Sequence, residues 1–486
     1  MDFGKMELPQ QIQYLQNFVP SGTQVTAEEG LGIALRANVS IAPEKYLFEL
    51  NSFFPVHSIY LQGLIEGLTE ALNKERINSF VPLISFIENK IASADFQSEQ
   101  PKRWKDKEGF IYRVVDFISA LSKQDRLDFT QENFDQIIGL LISILKDKTY
   151  QDDSETIHSG YINHSLNSLS GRLHGTLIDI CMLYEKKISK RDDAVKWPEL
   201  AKHYFTKHLI RTGNAAKDYS IVLGSRLPLI LYLDKAWVYD NFNSIFNQAD
   251  QQQFEYTFAS AISGIYRPDQ GLYKLFKQHG LFDIALDRYT TANGTLPRIM
   301  VYGLLEWQVW AVSPEDDTGI ISGILQRSQS EQFRELVETA SRNKLLGFPL
   351  VKILWQKLLA AADGKEGFEN VYPILLWLAE MSSALDEETC TLVNQTLAKI
   401  DDGSRDVYSF TRHIYKIADS NLSEAAKIIS FMFEKGIAKP YFDQELRSFI
   451  RKLFEKYLKE KANEICIYVA DSGSLVLKDI FDEFNQ

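Results

Sequence analysis

IYRVVDFISALSKQDRLDFTQENFDQIIGLLISIL, residues 111–145, contains two amphipathic periods separated by a short polar turn. In its first half Ile111, Val114, Val115, Ile118 and Leu121 follow the i, i+3, i+4, i+7 spacing that lines one face of a helix. In its second half Phe134, Ile137, Ile138, Leu141, Ile144 and Leu145 form a second such stripe, and Thr130 stands where a side-chain oxygen can cap the first free amides. Two helices of similar length joined by so short a turn lie antiparallel, which predicts a helical hairpin.

The same pattern extends outward in both directions. Leu83, Phe86, Ile87 and Ile91 mark an earlier helix, and Phe333, Leu336, Val337 and Ala340 precede an apolar segment with Ile353, Leu354, Leu358 and Leu359. Ser423 is the expected N-cap of a helix through Ile428, Ile429, Met432 and Phe433 that stops at Gly436, with Pro440 beyond. Its partner carries Leu446, Phe449, Ile450, Leu453, Phe454 and Tyr457. No run of period-two alternation long enough for a sheet occurs, and the Asn293-Gly294 pair sits in a loop-like context. Residues 465–477 hold two short β-prone runs around Asp471, Ser472 and Gly473, read here as the turn of a last helical pair.

The predicted fold class is therefore all-α: a helical-hairpin repeat solenoid, HEAT- or TPR-like, with degenerate repeats. Pairs spaced roughly 40 residues apart would number roughly ten to twelve. The alternative is a multi-helix enzyme domain with irregular packing. Polar stretches at 92–108, 147–160 and 187–195 are expected loops between pairs. A division into arrays 1–325 and 326–486 is expected beyond the loop Pro314 to Gly319, with the helical stack running through it.

Composition narrows function. With only 26 Gly and 14 Pro and 45% hydrophobic residues, collagen-like and disordered classes are excluded. The net charge of −12 repels a phosphate backbone, so nucleic acid is not an expected partner. Cys181, Cys390 and Cys466 lie too far apart for a disulfide framework or a clustered zinc site, which suits a reducing, cytoplasmic setting. The first residues lack the basic start and apolar block of a secretory signal. The longest apolar runs reach about half the length of a bilayer span, so no membrane role is expected.

The search for chemistry is negative. No P-loop string occurs, and Ser168-Leu169-Ser170-Gly171 and Gly319 to Gly323 both misplace a glycine of the nucleophile elbow, leaving helix caps and turns as their reading. His203 and His208 would diverge by about 140 degrees on a helix and cannot chelate one ion. His164 and His174 are expected at a groove or partly buried. The aspartate pairs Asp152-Asp153, Asp192-Asp193, Asp316-Asp317 and Asp401-Asp402, the last followed by Asp406, look like solvated turns. Lys102, Arg103, Lys105 and Lys107 around Trp104, and the cluster from Lys186 to Arg191, read as solvated loops rather than nucleic-acid contacts. No catalytic, cofactor-binding or metal residue is predicted.

Two segments stand out. In YINHSLNSLSGRLHGTLIDICMLY, residues 161–184, Asn167 or Ser168 caps a helix whose stripe is Leu173, Leu177, Ile180, Cys181 and Tyr184. Gly171 and Gly175 inside it each cost about 1 kcal/mol relative to Ala, a cost usually tolerated where another backbone crosses closely. Arg172 is placed to reach a carbonyl or carboxylate of the adjoining helix. In VLGSRLPLILYLDKAW, residues 222–237, an apolar run from Leu227 to Leu233 ends at Asp234, which can cap a helix opened by Lys235, Ala236 and Trp237 and continued inward by Phe242, Ile245 and Phe246.

Together Asn167, Ser168, Gly171 and Arg172, then Leu227, Pro228, Leu229, Asp234 and Trp237, resemble the C-terminal helical-repeat region of bacterial antiviral STAND NTPases. The likeness is close over about 80 residues and elsewhere one of texture. It implies a TPR-like sensor that embraces a phage protein, with ATPase and effector functions residing elsewhere. This chain has neither an ATPase motif nor an effector, so the likeness implies a sensor array alone, an array whose ATPase comes from a partner chain, or shared helical packing only. The functional expectation is a non-enzymatic protein-recognition or scaffold protein whose partner is a protein, such as a phage protein or an effector or NTPase subunit. Trp307 and Trp310, three apart, are candidate anchors for a partner, with core packing as their other reading. An all-α enzyme with an unrecognised site, or a scaffold unrelated to defence, are the alternatives.

Overall fold

The computed structural model describes residues 3–18, 26–99, 106–147, 161–189, 196–210, 217–264, 270–288, 295–310, 312–401, 407–438 and 443–485. All regular structure among them is helical. The two helices expected over residues 111–145 are present as Asp106–Leu121 and Gln131–Lys146, the first packing on Ser58–Asn73 and Leu169–Lys187 and the second on Val81–Ala92, Leu169–Lys187 and Glu199–His208. Thr130 closes the second helix reciprocally: its hydroxyl accepts from Asn133 N at 3.2 Å while its own N donates to Asn133 Oδ1 at 3.1 Å. The apolar stripes named above, from Ile111 to Leu145, are buried.

The chain divides into two compact units, Met1–Ile265 and Tyr266–Gln486, so the division expected near residue 325 falls inside the second. In the first unit the helices Thr26–Ile41, Ser58–Asn73, Asp106–Leu121, Leu169–Lys187, Lys217–Ser225 and Gln251–Gly264 form a row in which each touches the next. Behind it Val81–Ala92, Gln131–Lys146 and Glu199–His208 form a second row. The first two helices of the front row cross closely because glycine removes the obstacle: a Cβ on Gly67 would stand 2.7 Å from the Arg36 carbonyl oxygen.

The second unit is the more regular. Leu281–Arg288, Ile320–Arg327, Phe348–Ala362, Glu387–Leu397, Leu422–Glu434 and Lys459–Asp471 follow one another in one row, and Thr295–Gln308, Ser330–Asn343, residues 372–381, Tyr408–Ile417, Asp443–Glu455 and Lys478–Asn485 in the other. Each helix thus packs on the next but one. Ion pairs recur at that interval, as in Arg412–Glu445 at 3.3 Å, Arg451–Glu483 at 2.9 Å and Lys452–Asp419 at 2.7 Å. Being exposed, each contributes about 0–1 kcal/mol. Buried layers such as Leu354, Trp355, Leu358, Leu392 and Val393 supply most of the adhesion.

Four local expectations are corrected. Asn421, not Ser423, caps Leu422–Glu434, accepting from Glu424 N at 3.3 Å. Tyr457 is 93% exposed rather than part of the stripe, because φ of +62° turns the chain out of the helix. The stretch 92–108 is not all loop, since Ala94–Ser98 is helical and a long helix begins at Asp106. Of residues 465–477, expected as the turn of a last pair, 465–471 belong instead to the helix Lys459–Asp471, and only 472–477 connect it to Lys478–Asn485. Asn293, Gly294 and Pro440 lie outside the described residues, as does most of 147–160 and 187–195. No described helix is long and apolar enough to cross a membrane.

Candidate recognition groove

Burial of one helix face leaves the opposite flank to charged residues, and in the front row of the first unit those flanks meet. On Ser58–Asn73 the residues Leu61, Leu64, Ile65, Leu68 and Leu72 are buried, leaving Glu66 and Glu70 one turn apart beside the neighbouring helices. On Asp106–Leu121 the same partition leaves Arg113 and Asp116.

These side chains form a ladder across four helices. Glu70 pairs with Arg36, and Arg36 Nη1 lies 3.4 Å from Glu66 Oε2. Glu66 Oε1 is 2.5 Å from Arg113 Nε, and Arg113 Nη1 is 3.4 Å from Asp116 Oδ2. Asp116 Oδ1 in turn holds Arg172 Nη2, whose guanidinium carbon stands 5.6 Å from the centre of the Tyr112 ring. The hydrogen bond that Arg36 donates to Glu70 raises the arginine's pKa above its ordinary value. Further along the row Asp179 lies 3.8 Å from Arg226, where burial pushes the carboxyl up and the guanidinium opposes it.

Above the ladder is a groove of about 430 Å³, to which Thr69, Asn73, Ser119 and Lys123 also contribute. Its four cations face three carboxylates, so it carries a slight positive excess in a chain of net charge −12. Every arginine in it is already answered by a carboxylate on an adjacent helix.

The structure brings the two motif segments together: Leu169–Lys187 touches Leu227–Leu233. Arg172 reaches a carboxylate of the adjoining helix as expected, and Ser168 is the cap, accepting from Gly171 N at 3.0 Å while its hydroxyl lies 2.7 Å from Asp218. Asn167 is exposed and does not cap. Gly171 is needed because a Cβ would collide with the Ser165 carbonyl oxygen, whereas Gly175 faces open space, so close approach accounts for only one of the pair. Of that helix's stripe, Tyr184 alone is only partly buried, its ring set edge-on to Phe134. Asp234 caps as expected, accepting from Trp237 N at 2.8 Å and pairing with Lys202 at 2.7 Å. Leu227 and Trp237 are buried, and Pro228 stands in the first turn of the helix Leu227–Leu233. These motif residues are structural joints, with Arg172 alone reaching the groove.

The remaining candidates are scattered. Trp307 is buried, and the half-buried Trp310 lies against Tyr273 with ring centres 4.5 Å apart and planes tilted by 42°. His174 is enclosed, its Nε2 3.0 Å from the Tyr204 hydroxyl, while His164 is exposed. His208 is buried and His203 exposed, so they point apart. Asp317 receives Gly319 N and Ser322 N at 2.6 and 2.8 Å, a turn as expected. Asp152, Asp153, Asp192, Asp193, Asp402 and Asp406 lie outside the described residues, with Lys102, Arg103, Trp104 and Lys105. Among the described residues no group of three or more His, Cys, Asp or Glu is placed to hold a metal ion.

One constellation escaped the sequence reading. Glu99 accepts from Ser58 N at 3.2 Å and from the Ser58 hydroxyl, and His57 Nε2 is 3.3 Å from the same carboxylate. Nearby Lys90 is buried and donates to the carbonyls of Phe54 and Val56 at 2.9 and 3.2 Å, burial lowering its pKa. The serine faces the carboxylate rather than the imidazole, so the cluster is a helix cap supplied from 41 residues away, not a nucleophile with its base. No family model, curated protein or solved structure matches the chain.

Proposed function

We propose that the chain is a non-enzymatic protein-recognition or scaffold protein of the cytoplasm, each unit being a run of HEAT- or TPR-like helical-hairpin repeats. On this proposal it works as a sensor or adaptor in bacterial anti-phage defence, and its partner is a phage protein or an effector or NTPase subunit. The supporting observation is the packing of each helix on the next but one through the second unit, with ion pairs recurring between successive hairpins. Stacked pairs of that kind present extended surfaces suited to docking. The groove between Arg36 and Arg172 is the surface assigned to the partner, and the defence role draws on the likeness at Asn167 to Arg172 and Leu227 to Trp237.

The test uses the full chain as bait, wild type beside Arg113→Glu and Arg172→Glu, in extracts of phage-infected and uninfected cells. A specific protein retained by the wild type and lost by both folded variants is the expected result. Identical retention by all three would remove the groove from the proposal. Turnover of a substrate by the purified chain, abolished by one side-chain change, would overturn it entirely.

A further inference from the structure

The groove between Arg36 and Arg172 is layered by charge. Its guanidinium groups are more open to solvent than the carboxylate they share: the side chains of Arg36 and Arg113 are 45% and 41% exposed, while that of Glu66, which both contact, is 24% exposed. The carboxylates are thus spent on internal arginines, and N–H groups are left over at the surface. Arg113 sets Nε against Glu66 and Nη1 against Asp116, and Arg172 sets Nη2 against Asp116. A guanidinium carries five N–H groups, and Arg113 Nη2 and Arg172 Nε and Nη1 donate to no acceptor among the described residues. Lys123 lines the same groove, is exposed, and enters no ion pair among the described residues.

These unspent donors select the occupant. Cationic N–H groups bind anionic oxygen most strongly, so the ligand must bring negative charge. The donors do not converge on one point, because Arg113 and Arg172 stand on either side of Asp116, whose carboxylate repels a dianion placed between them. A nucleic-acid backbone, charged at every nucleotide, would set phosphates over Glu66 and Asp116 as well as over the cations. An extended protein segment avoids both penalties, since its alternate side chains, about 6.6–7 Å apart, carry separate single charges on one face. The groove crosses four helices, and three spacings of about 8–10 Å match the length of about eight extended residues. Resting on the assignment of this groove to a protein partner, we propose that its occupant is an extended acidic segment of that partner, with alternate carboxylates docked on Arg113, Lys123 and Arg172.

Fluorescence anisotropy with the purified full chain and a labelled octapeptide of alternating Glu and Ser tests it. Saturable binding is expected, with the Gln-Ser and Lys-Ser octapeptides at least about tenfold weaker. Lys123→Glu and Arg172→Glu are each expected to weaken the acidic peptide about five- to tenfold. Glu66→Gln should tighten it about threefold, because Arg36 and Arg113 lose an internal rival, a gain that a merely structural role for these charges would not bring. Lys123 has no internal ion pair to lose, so its variant decides if Arg172→Glu fails to fold. No binding, equal affinity for the Gln-Ser peptide, indifference to Lys123→Glu, or tighter binding of inorganic phosphate or octathymidylate would each overturn the proposal. A protein retained from extracts by a chain that ignores the acidic peptide would also overturn it, leaving the recognition role standing. Peptide binding through Lys123 with no protein retained would uphold the acidic chemistry and count against that role alone.

Discussion

Trp355 Nε1 donates to Thr396 Oγ1 at 3.0 Å, joining Phe348–Ala362 to Glu387–Leu397 through a hydrogen bond that is fully enclosed. The threonine hydroxyl also donates to the Leu392 carbonyl at 2.8 Å, so it accepts and gives at once. Thr396→Val preserves the shape and strands the indole N–H in an apolar layer. It should destabilise the chain by about 1–3 kcal/mol, the desolvation cost of an unmet buried donor. Urea unfolding monitored by circular dichroism measures it; a loss below a few tenths would mean that the indole finds another acceptor.

The two glycines of Leu169–Lys187 separate cleanly. Gly171→Ala drives a methyl into the Ser165 carbonyl oxygen, and a forced shift of that kind costs about 1–3 kcal/mol. Gly175→Ala meets nothing within 4 Å and should stabilise by about 0.5–1 kcal/mol through the unfolded chain. Paired denaturation curves check both, and equal shifts in one direction would contradict the geometry.

Asp386 caps Glu387–Leu397, accepting from Thr389 N at 2.8 Å, and also holds Lys352 Nζ at 2.6 Å. Although desolvation opposes, its hydrogen bonds to Lys352 and Thr389 bring the carboxyl pKa down to about 2. A folded value below the unfolded one means stability that is present above the unfolded pKa of about 3.9 and lost as pH falls toward 2. Carboxyl NMR should place the Asp386 midpoint well under that of an exposed aspartate. Lys352→Met should move it upward, and an unmoved midpoint would show that the lysine does not hold it.

His413 is a second pH-dependent element. Burial lowers its pKa below the ordinary value of 6.5, while its Nε2 lies 3.1 Å from the Ser382 carbonyl oxygen. The neutral ring belongs to the folded state. Its contribution is therefore complete above about pH 6.5 and is lost progressively as pH falls below it. The unfolding midpoint should drop between pH 7.5 and 5.5 by more in the wild type than in His413→Gln. Equal drops would place the titration elsewhere.

The helices were legible because their signal is local. The stripes at 111–121 and 134–145, the cap at Thr130 and the cap at Asp234 each depend on neighbours within a turn or two, and all were found where expected. Errors of detail had local rivals: Asn421 offered its side chain two residues before Ser423, and a left-handed φ took Tyr457 out of its stripe. The groove had a faint signal, since Glu66 and Glu70, and Arg113 and Asp116, share polar flanks at helical spacing. Nothing in those spacings says which flank faces which.

Amino-acid order alone determined that the described residues form amphipathic helices, because periodicity and capping act over a few residues. Only the tertiary structure decided that Arg36, Glu66, Arg113, Asp116 and Arg172 share one ladder, that Gly171 is crowded and Gly175 free, and that Glu99 caps a helix begun at Ser58. Those relationships join residues 30 or more positions apart or depend on the fit of one backbone against another. Helix crossings set them, and crossings follow from the packing of whole faces rather than from any short run of residues.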